Sequence, residues 1–509
     1  MRKFVSSIFI RVVITWATVV TCSAIGAPGV VDTTYGTAGS FLSTINDDVR
    51  GSAMQPDSKL LLAAGCPRRA PLTGKTFCVA RLDTSGALDA TFGAAGRASF
   101  QAGDANSITE QAMRIAVQSD GKVVVGGQCT SGSTAASCVA RLLANGTLDT
   151  SFATGGKLFL SSVLYFGTVK ALNDGKLLVA GACGTTGPFS SPAKMCVTKL
   201  NANGTPDTGF GTGGTFEFPY VSGSGADAAL SLAVRTDGVI SVAGRCNSSS
   251  LISSQACMGV LNGDGTPNTT VLGGQSVAAL PVLDSSNTHN SFESVAWRAD
   301  GALILAGRCR RSNGSYGVCH VYVNQAMSET AQGNTAEAFP IGSDPDVFLA
   351  MVDVQVLGDG QVLAFYPRVL SGTSIAMGYV RYNPSLTAVN AVEHQPRSGA
   401  PNFGWGGGAV QANGDFVISG SCYPAPASSP NACAVRFSGY PSAARQCSLD
   451  IDGDGSYIAT VDGLIATRVM LGLTGSAVVN GVSFPATATR TTWPALRTHL
   501  ITQCQMALP

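Results

Sequence analysis

Charge is scarce in this chain of 509 residues: Asp, Glu, Lys and Arg make up 12% of it and the formal net charge is +1. A nucleic-acid-binding surface needs a basic excess or a basic stripe, and neither is present. Histidine is nearly absent. His289, His320, His394 and His499 are scattered, with no His-x-x-x-His or His-Glu-x-x-His spacing that would hold zinc. Gly-x-Ser-x-Gly elbows and phosphate-binding P-loops are missing, which removes the common hydrolase and nucleotide signatures. Beyond the N-terminus no apolar run reaches the roughly 18 residues of a membrane helix, so no membrane span is expected. What the chain does hold is glycine, 61 residues of it, as many short strands joined by tight turns require.

The first 26 residues read as a bacterial export signal. Arg2 and Lys3 give a positive start, Val12 to Val20 an apolar stretch, and Ala24-Ile25-Gly26 a small-residue cleavage pattern. The mature protein is therefore expected outside the cytoplasm, in the periplasm or the extracellular space.

From there one signature recurs seven times. A turn is followed by a short apolar strand and a cysteine eight residues after the turn's second position. Gln118-Ser119-Asp120-Gly121 leads to Cys129. Asp57-Ser58 leads to Cys66, Asp174-Gly175 to Cys183, Asp237-Gly238 to Cys246, Asp300-Gly301 to Cys309 and Asn413-Gly414 to Cys422. Asp359-Gly360 is the remaining copy, with Arg368 in the cysteine position. The copies lie 54 to 63 residues apart. A fixed period of this length marks a repeat architecture.

Each cysteine is followed, after a variable polar loop, by a second one that opens a strand, as in Cys78-Val79-Ala80-Arg81-Leu82. Two such strands make a hairpin that faces the cysteines toward each other near the loop. The expected pairs are Cys66–Cys78, Cys129–Cys138, Cys183–Cys196, Cys246–Cys257, Cys309–Cys319 and Cys422–Cys433. The sixth repeat supports the pairing, because Arg368 and Gly378 replace both members together. Each bridge closes a loop of about ten residues, worth about 2–3 kcal/mol in the chain-entropy model.

A third element follows the second strand: Asn145-Gly146-Thr147-Leu148-Asp149-Thr150-Ser151-Phe152, with counterparts from Gly86 and Gly204. The same element, Gly29 to Gly36, stands at the N-terminus ahead of the first full repeat, while the seventh repeat ends after Cys433-Ala434-Val435-Arg436-Phe437 without it. The chain's start thus carries the piece its end lacks, as a ring closed by an N-terminal strand requires. The expected fold is all-β: a seven-bladed β-propeller over residues 27–440, followed by a linker at 441–446 and a small helical module at 447–509. The pattern Asp-Gly-Lys, hydrophobic run, Gly-Gly, then Ala-Arg-Leu-x-x-x-Gly-x-Leu-Asp-x-x-Phe-Gly resembles the delta-60 repeat propellers of secreted bacterial proteins. That resemblance implies fold and export but no catalytic residues.

The C-terminal module begins with Asp450-Ile451-Asp452-Gly453-Asp454-Gly455-Ser456. Acids at positions 1, 3 and 5 with glycine at 6 open an EF-hand loop, in which carboxylates converge on calcium and Ser456 adds a backbone carbonyl. The closing acid is expected at position 12. Val461 stands there and Asp462 follows, so Asp462 is expected to reach back. Leu464, Ile465, Val469, Met470 and Leu471 read as the exiting helix, and Trp493, Leu496, Leu500 and Ile501 as another. Leu449 to Leu473 resembles the first half of a dockerin with one extra loop residue, which implies bound calcium and, for a complete dockerin, a cohesin-like partner. No second acidic loop occurs between Thr474 and Pro509. Cys447 and Cys504 bracket the module and are expected to pair, which leaves only Cys22, in the export signal.

Function is expected to be binding or surface interaction with a protein or glycan ligand. The alternative is an extracellular enzyme acting on polysaccharide at the propeller mouth. Stretches that depart from the repeat are candidates for a ligand face: Asp284 to His289, Ser328 to Asp346, and Ala388 to Trp405 with Glu393, His394 and Trp405.

Overall fold

The computed structural model describes residues 29–439 and 450–502, apart from 44–46, 69–72, 105–109, 132–133, 185–192, 221–226, 247–254, 271–274, 281–289, 311–315, 324–328, 334–339, 343–351, 358–359, 372–373, 384–387, 395–401, 424–429, 455 and 457. The export segment, Cys22, Cys447, Cys504, His289, Glu337, Asp344 and Asp346 lie outside the described residues.

Seven antiparallel sheets follow one another along the chain. Blade 1 runs from an innermost strand, Asp48–Met54, through Leu60–Pro67 and Lys75–Leu82 to an outermost strand, Arg97–Phe100. Blades 2 to 6 repeat this order, with innermost strands Gln111–Val117, Val163–Ala171, Ala228–Val234, Ser291–Trp297 and Asp353–Val356. Blade 7 takes three strands from the chain's end, Asn402–Val410, Phe416–Tyr423 and Asn431–Phe437. Its fourth is Ser40–Leu42 from the N-terminus, in register Ser40↔Val435 and Leu42↔Cys433. The ring closes as the displaced third element requires, so that every blade packs between two others and only short outer edges remain.

The turns explain why the signature has its residues. Asp120 Oδ1 accepts a hydrogen bond from the Lys122 amide, and Gly121 adopts φ +82°. In the first repeat Ser58 holds the same left-handed conformation at φ 63°, where its Cβ is disfavoured.

The apolar residues between turn and cysteine pack between blades rather than within one. Seven clusters fill the seven blade-to-blade interfaces. Phe77 and Phe92 of blade 1 meet Ile115 and Val123 of blade 2, and the closing interface joins Tyr35 and Val49 to Val417 and Ala434.

The six disulfides expected within the hairpins are present, with Cα separations of 5.6–5.9 Å, and the seventh expected pair, Cys447–Cys504, lies outside the described residues. Their cysteines do not sit directly opposite each other. Cys129 pairs in register with Ala136, and Cys138 with Gly127, so the bridge runs diagonally across the twisted hairpin. The same two-residue offset holds in the other bridged blades. The residue facing the second cysteine is Gly in five of them and Ala64 in blade 1. At Gly127 a Cβ would run into the Gln111 carbonyl, where the innermost strand bulges between Ala112 and Arg114. Blade 6 lacks the bridge and fills its place differently. Tyr366 faces Gly378, and a Cβ on Gly378 would come within 2.7 Å of the tyrosine ring.

A cation-based staple recurs at the blade joints. Arg81 pairs with Asp89 at 2.9 Å, lies 4.6 Å over the Phe92 ring and donates to the Ala144 carbonyl of the next blade at 2.7 Å. Arg141 does the same with Asp149, Phe152 and the Ala202 carbonyl. Lys199 pairs with Asp207, lies over Phe210 and reaches the Gly263 carbonyl. The glycine in each receiving turn is packed against the preceding blade's aromatic ring. At Gly146, with φ +85°, a Cβ would lie 3.1 Å from Phe92. This is why the third element ties Gly, Asp and Phe together.

The C-terminal module is helical, with Leu464–Met470, Ser476–Val479 and Trp493–Thr502 around a core of Ile451, Ile465, Val469, Leu496 and Leu500. A π-helical turn, Ala459–Gly463, precedes the first helix. Such a turn accommodates one residue more than an α-helical turn.

Candidate functional site

The acidic loop brings Asp450, Asp452 and Asp454 together, with one carboxylate oxygen from each within 4.8 Å of the others. The loop's own amides hold them there. Asp450 Oδ1 accepts from the Gly453 and Asp454 amides at 2.7 and 3.0 Å, and Asp452 Oδ1 from the Asp454 amide at 3.2 Å. Asp452 is fully buried, and its Oδ2 has no hydrogen-bond partner. Burial pushes its carboxyl above the ordinary range. The bond from the Asp454 amide opposes this, while the charges of Asp462 and Asp454 and the contact with Asp450 add to it. A buried, unpartnered carboxylate oxygen beside two further carboxylates is costly unless a cation completes it.

Asp462 is placed differently from the expectation. Its Oδ1 accepts from the Ile451 and Asp452 amides at 2.6 and 3.0 Å, and its Oδ2 from the Ile458 amide at 2.8 Å. Both oxygens are used to fix the two ends of the loop, and Asp462 lies outside the three-carboxylate group. Ser456 is exposed, and its amide bonds Asp454 Oδ1 at 2.7 Å. A clamp that the sequence did not announce comes from the segment ahead of the last helix. Arg490 donates to the Ile451 and Asp450 carbonyls at 2.7 and 2.8 Å, and Thr489 Oγ1 to the Gly453 carbonyl at 3.1 Å. Gly453, at φ +76°, lies where a Cβ would come within 2.7 Å of the Arg490 guanidinium.

A second concave feature is the propeller's central channel, a cavity of about 630 Å³ lined by all seven innermost strands. Five charged residues line it: Arg50, Arg114, Lys170, Glu293 and Asp353. Glu293 pairs with Arg308 and accepts from the Val352 amide at 2.8 Å. Asp353 accepts from the Ser294 hydroxyl at 2.9 Å and the Gly408 amide at 3.2 Å, and burial raises its carboxyl despite these bonds. Arg50 pairs with Asp48 at 2.9 Å, and Arg114 donates to the Arg50 and Met113 carbonyls.

Of the sequence-derived ligand face, residues 281–289, 334–339, 343–351 and 395–401 lie outside the described residues. Glu393 and His394 belong to the outermost strand of blade 6, whereas Trp405 belongs to the innermost strand of blade 7. Glu329 opens another outer strand, in blade 5. Among the described residues no helix is long and apolar enough to cross a membrane.

Residues 55–92, 118–152 and 172–210 match a family model described as a domain of unknown function (DUF5122) β-propeller. These segments fall in blades 1 to 3. No curated protein matches the sequence. Among solved structures, the chain is similar to a protein of unknown function from Dyadobacter fermentans at 12% identity, over 64% of this chain and 93% of that one, with a TM-score of 0.38. It is also similar to the β-propeller domain of the Trilobed protease from Pyrococcus furiosus at 9% identity, over 77% and 94%, with a TM-score of 0.41. The polysaccharide lyase Uly1 is similar at 13% identity, over 79% and 91%, with a TM-score of 0.43. The family-model segments and the closed ring of seven sheets together make this chain a repeat-built β-propeller.

Proposed function

We propose that the chain is an exported binding protein of the delta-60 repeat type, whose propeller carries the ligand site and whose C-terminal loop holds calcium. Asp452 carries the calcium reading: a fully buried carboxylate with an unpartnered oxygen, grouped with Asp450 and Asp454. The donor set is oxygen only, which suits a hard cation such as calcium and not zinc. Three carboxylates within five residues repel one another without a cation, so metal stabilises the dockerin-like module. A cohesin-like partner would require the second acidic loop, and the Arg490 clamp stands in its place. Export is supported by the N-terminal pattern and by six disulfides, which persist in oxidising compartments. Binding is favoured over polysaccharide cleavage because both channel acids, Glu293 and Asp353, are committed to neighbouring donors.

The test is calorimetry of the full mature chain with calcium, with zinc and with chelator. Calcium at a hundredfold excess over its Kd should stabilise the module by about 2.7 kcal/mol. The Asp450→Ala/Asp454→Ala variant should show no such gain. An unchanged melting profile of the parent chain on adding calcium would reduce the loop to an acidic turn.

A further inference from the structure

We propose that the central channel binds a neutral sugar, whose hydroxyls are held by Arg114 and Asp353 on one side and by Thr168 and Ser231 on the other. The inference rests on the reading of the propeller as a binding protein, names the class of its ligand, and is independent of the calcium loop.

At one register of the innermost strands, every blade that carries a side chain carries a polar one: Arg114, Thr168, Ser231, Ser294 and Asp353 in blades 2 to 6. Blades 7 and 1 carry Gly407 and Gly51 there. All seven residues line the channel. The next residue of each polar blade, Ile115, Val169, Leu232, Val295 or Val354, packs in an inter-blade core. Side chains alternate in direction along a strand, so the polar residues point away from those cores.

Arg114 and Asp353 lean toward each other over the two glycine blades. Arg114 donates to the Arg50 carbonyl of blade 1, and Asp353 accepts from the Gly408 amide of blade 7. Each feels the charge of the other, and Arg114 also feels Glu293 in blade 5, so one ligand at this level reaches both walls. Gly406 and Gly408 are glycines for packing reasons, since a Cβ would run into the Ser419 carbonyl or the Phe365 ring. Gly407 has a different role. A Cβ there would lie 3.4 Å from Asp353 Oδ2 and cover it.

Ser294 fixes the carboxylate: its hydroxyl donates to Asp353 Oδ1 at 2.9 Å and accepts from the Val354 amide at 3.1 Å. The Ser294 and Gly408 bonds use one lone-pair site on each oxygen, and Gln355 Nε2 stands 3.5 Å from Oδ2, at the limit of a hydrogen bond. A carboxylate offers about four such sites, so acceptor capacity remains. Thr168 and Ser231 are half-buried, and their hydroxyls bond no other described residue and are not sealed in the wall, so both stay open to the channel.

This set matches alcohol hydroxyls. Asp353 accepts, Arg114 donates, and the two protein hydroxyls do both, as each hydroxyl of a sugar does. The charges of Arg114 and Asp353 offset each other. An anion approaching Arg114 would meet Asp353, and a cation approaching Asp353 would meet Arg114, so a neutral ligand fits best. A volume of about 630 Å³ falls within the range of small-molecule sites.

Isothermal titration of the full mature chain, with D-glucose, D-galactose and D-mannose and their methyl glycosides as probes, tests the proposal. At least one of these sugars should bind the parent chain. Binding of the free sugar alone would identify a monosaccharide ligand, and equal binding of its methyl glycoside the end of a glycan chain; both support the site. Thr168→Val/Ser231→Ala removes two hydroxyls without breaking a bond within the protein and should fold. It is expected to weaken binding at least about tenfold. Asp353→Asn keeps the shape but exchanges an acceptor oxygen for a donor, and should also weaken binding at least about tenfold. If Asp353→Asn fails to fold, the hydroxyl variant decides. The proposal is overturned if the hydroxyl variant binds as well as the parent chain, or if the folded parent binds none of the neutral sugars. Should sodium glucuronate bind where no neutral sugar does, this proposal falls while the reading of the propeller as a binding protein stands.

Discussion

Arg436 and Asp32, 404 residues apart, form an ion pair with Nη2 and Oδ2 separated by 2.7 Å. The guanidinium lies 4.6 Å over the Tyr35 ring and donates to the Thr84 carbonyl of blade 1 at 2.6 Å. The joint that closes the ring is therefore the staple of the internal blades, rebuilt from the two ends of the chain. Burial alone would raise the Asp32 carboxyl. The Thr34 hydroxyl and amide, with Arg436, more than offset it and hold the carboxyl below its usual range.

Breaking this joint should loosen blade 7 before any other. Arg436→Ala removes a charge-assisted pair and a cation–π contact, and should cost about 1–3 kcal/mol. Deleting residues 29–42 also removes the paired strand Ser40–Leu42. Hydrogen exchange should then show lost protection across Phe416–Phe437, with blade 3 unaffected. Equal loss in both blades would mean that the N-terminal strand does not act as a local clasp.

The closure was legible in the sequence because it leaves a countable mark: a third element too many at one end and too few at the other. The disulfide pairs were legible for the same reason, since both cysteines of the sixth repeat are missing together, replaced by Arg368 and Gly378. Their diagonal register was not, because strand twist decides which cross-strand neighbours approach and twist leaves no mark in the cysteine spacing. The staples were half visible. Arg81, Asp89 and Phe92 recur in the repeat, yet nothing local says that the arginine also reaches the Ala144 carbonyl of the following blade. Glu393 and His394 fall on a different strand from Trp405, because the outermost strand of one blade is followed in the chain by the innermost strand of the next.

His320 should give the propeller a defined acid sensitivity. It is buried in the third strand of blade 5, with its ring centroid 5.0 Å from that of Tyr382 in blade 6, and burial pushes its pKa down from 6.5 to about 4. The unfolded chain therefore takes up the proton first as pH falls. This contribution to stability is complete above about pH 6.5, is lost progressively between there and pH 4, and changes no further below it. A shift of this size corresponds to about 3 kcal/mol. Denaturant unfolding at several pH values should show a shallower slope between pH 6.5 and 4 for His320→Phe, whose ring can still pack on Tyr382. An unaltered slope in that variant would assign the acid sensitivity to other groups.

Asp462 and Asp454 should separate the two tasks of the acidic loop. Asp462 accepts three backbone amides, two of them in buried residues, so Asp462→Ala strands those donors whether or not calcium is present. Each stranded amide costs about 1–3 kcal/mol, enough to unfold a module of this size. Asp454 belongs to the carboxylate group and, among the described residues, its side chain accepts from the exposed Ser456 amide, so Asp454→Ala should leave the metal-free module nearly as stable as before while removing its response to calcium. Hydrogen exchange over Leu464–Met470, with chelator and with calcium, reads both. Asp462→Ala is expected to lose protection in both conditions. If instead it keeps full protection in chelator and loses only the calcium response, Asp462 is a metal ligand at position 13 and the loop is held by other bonds.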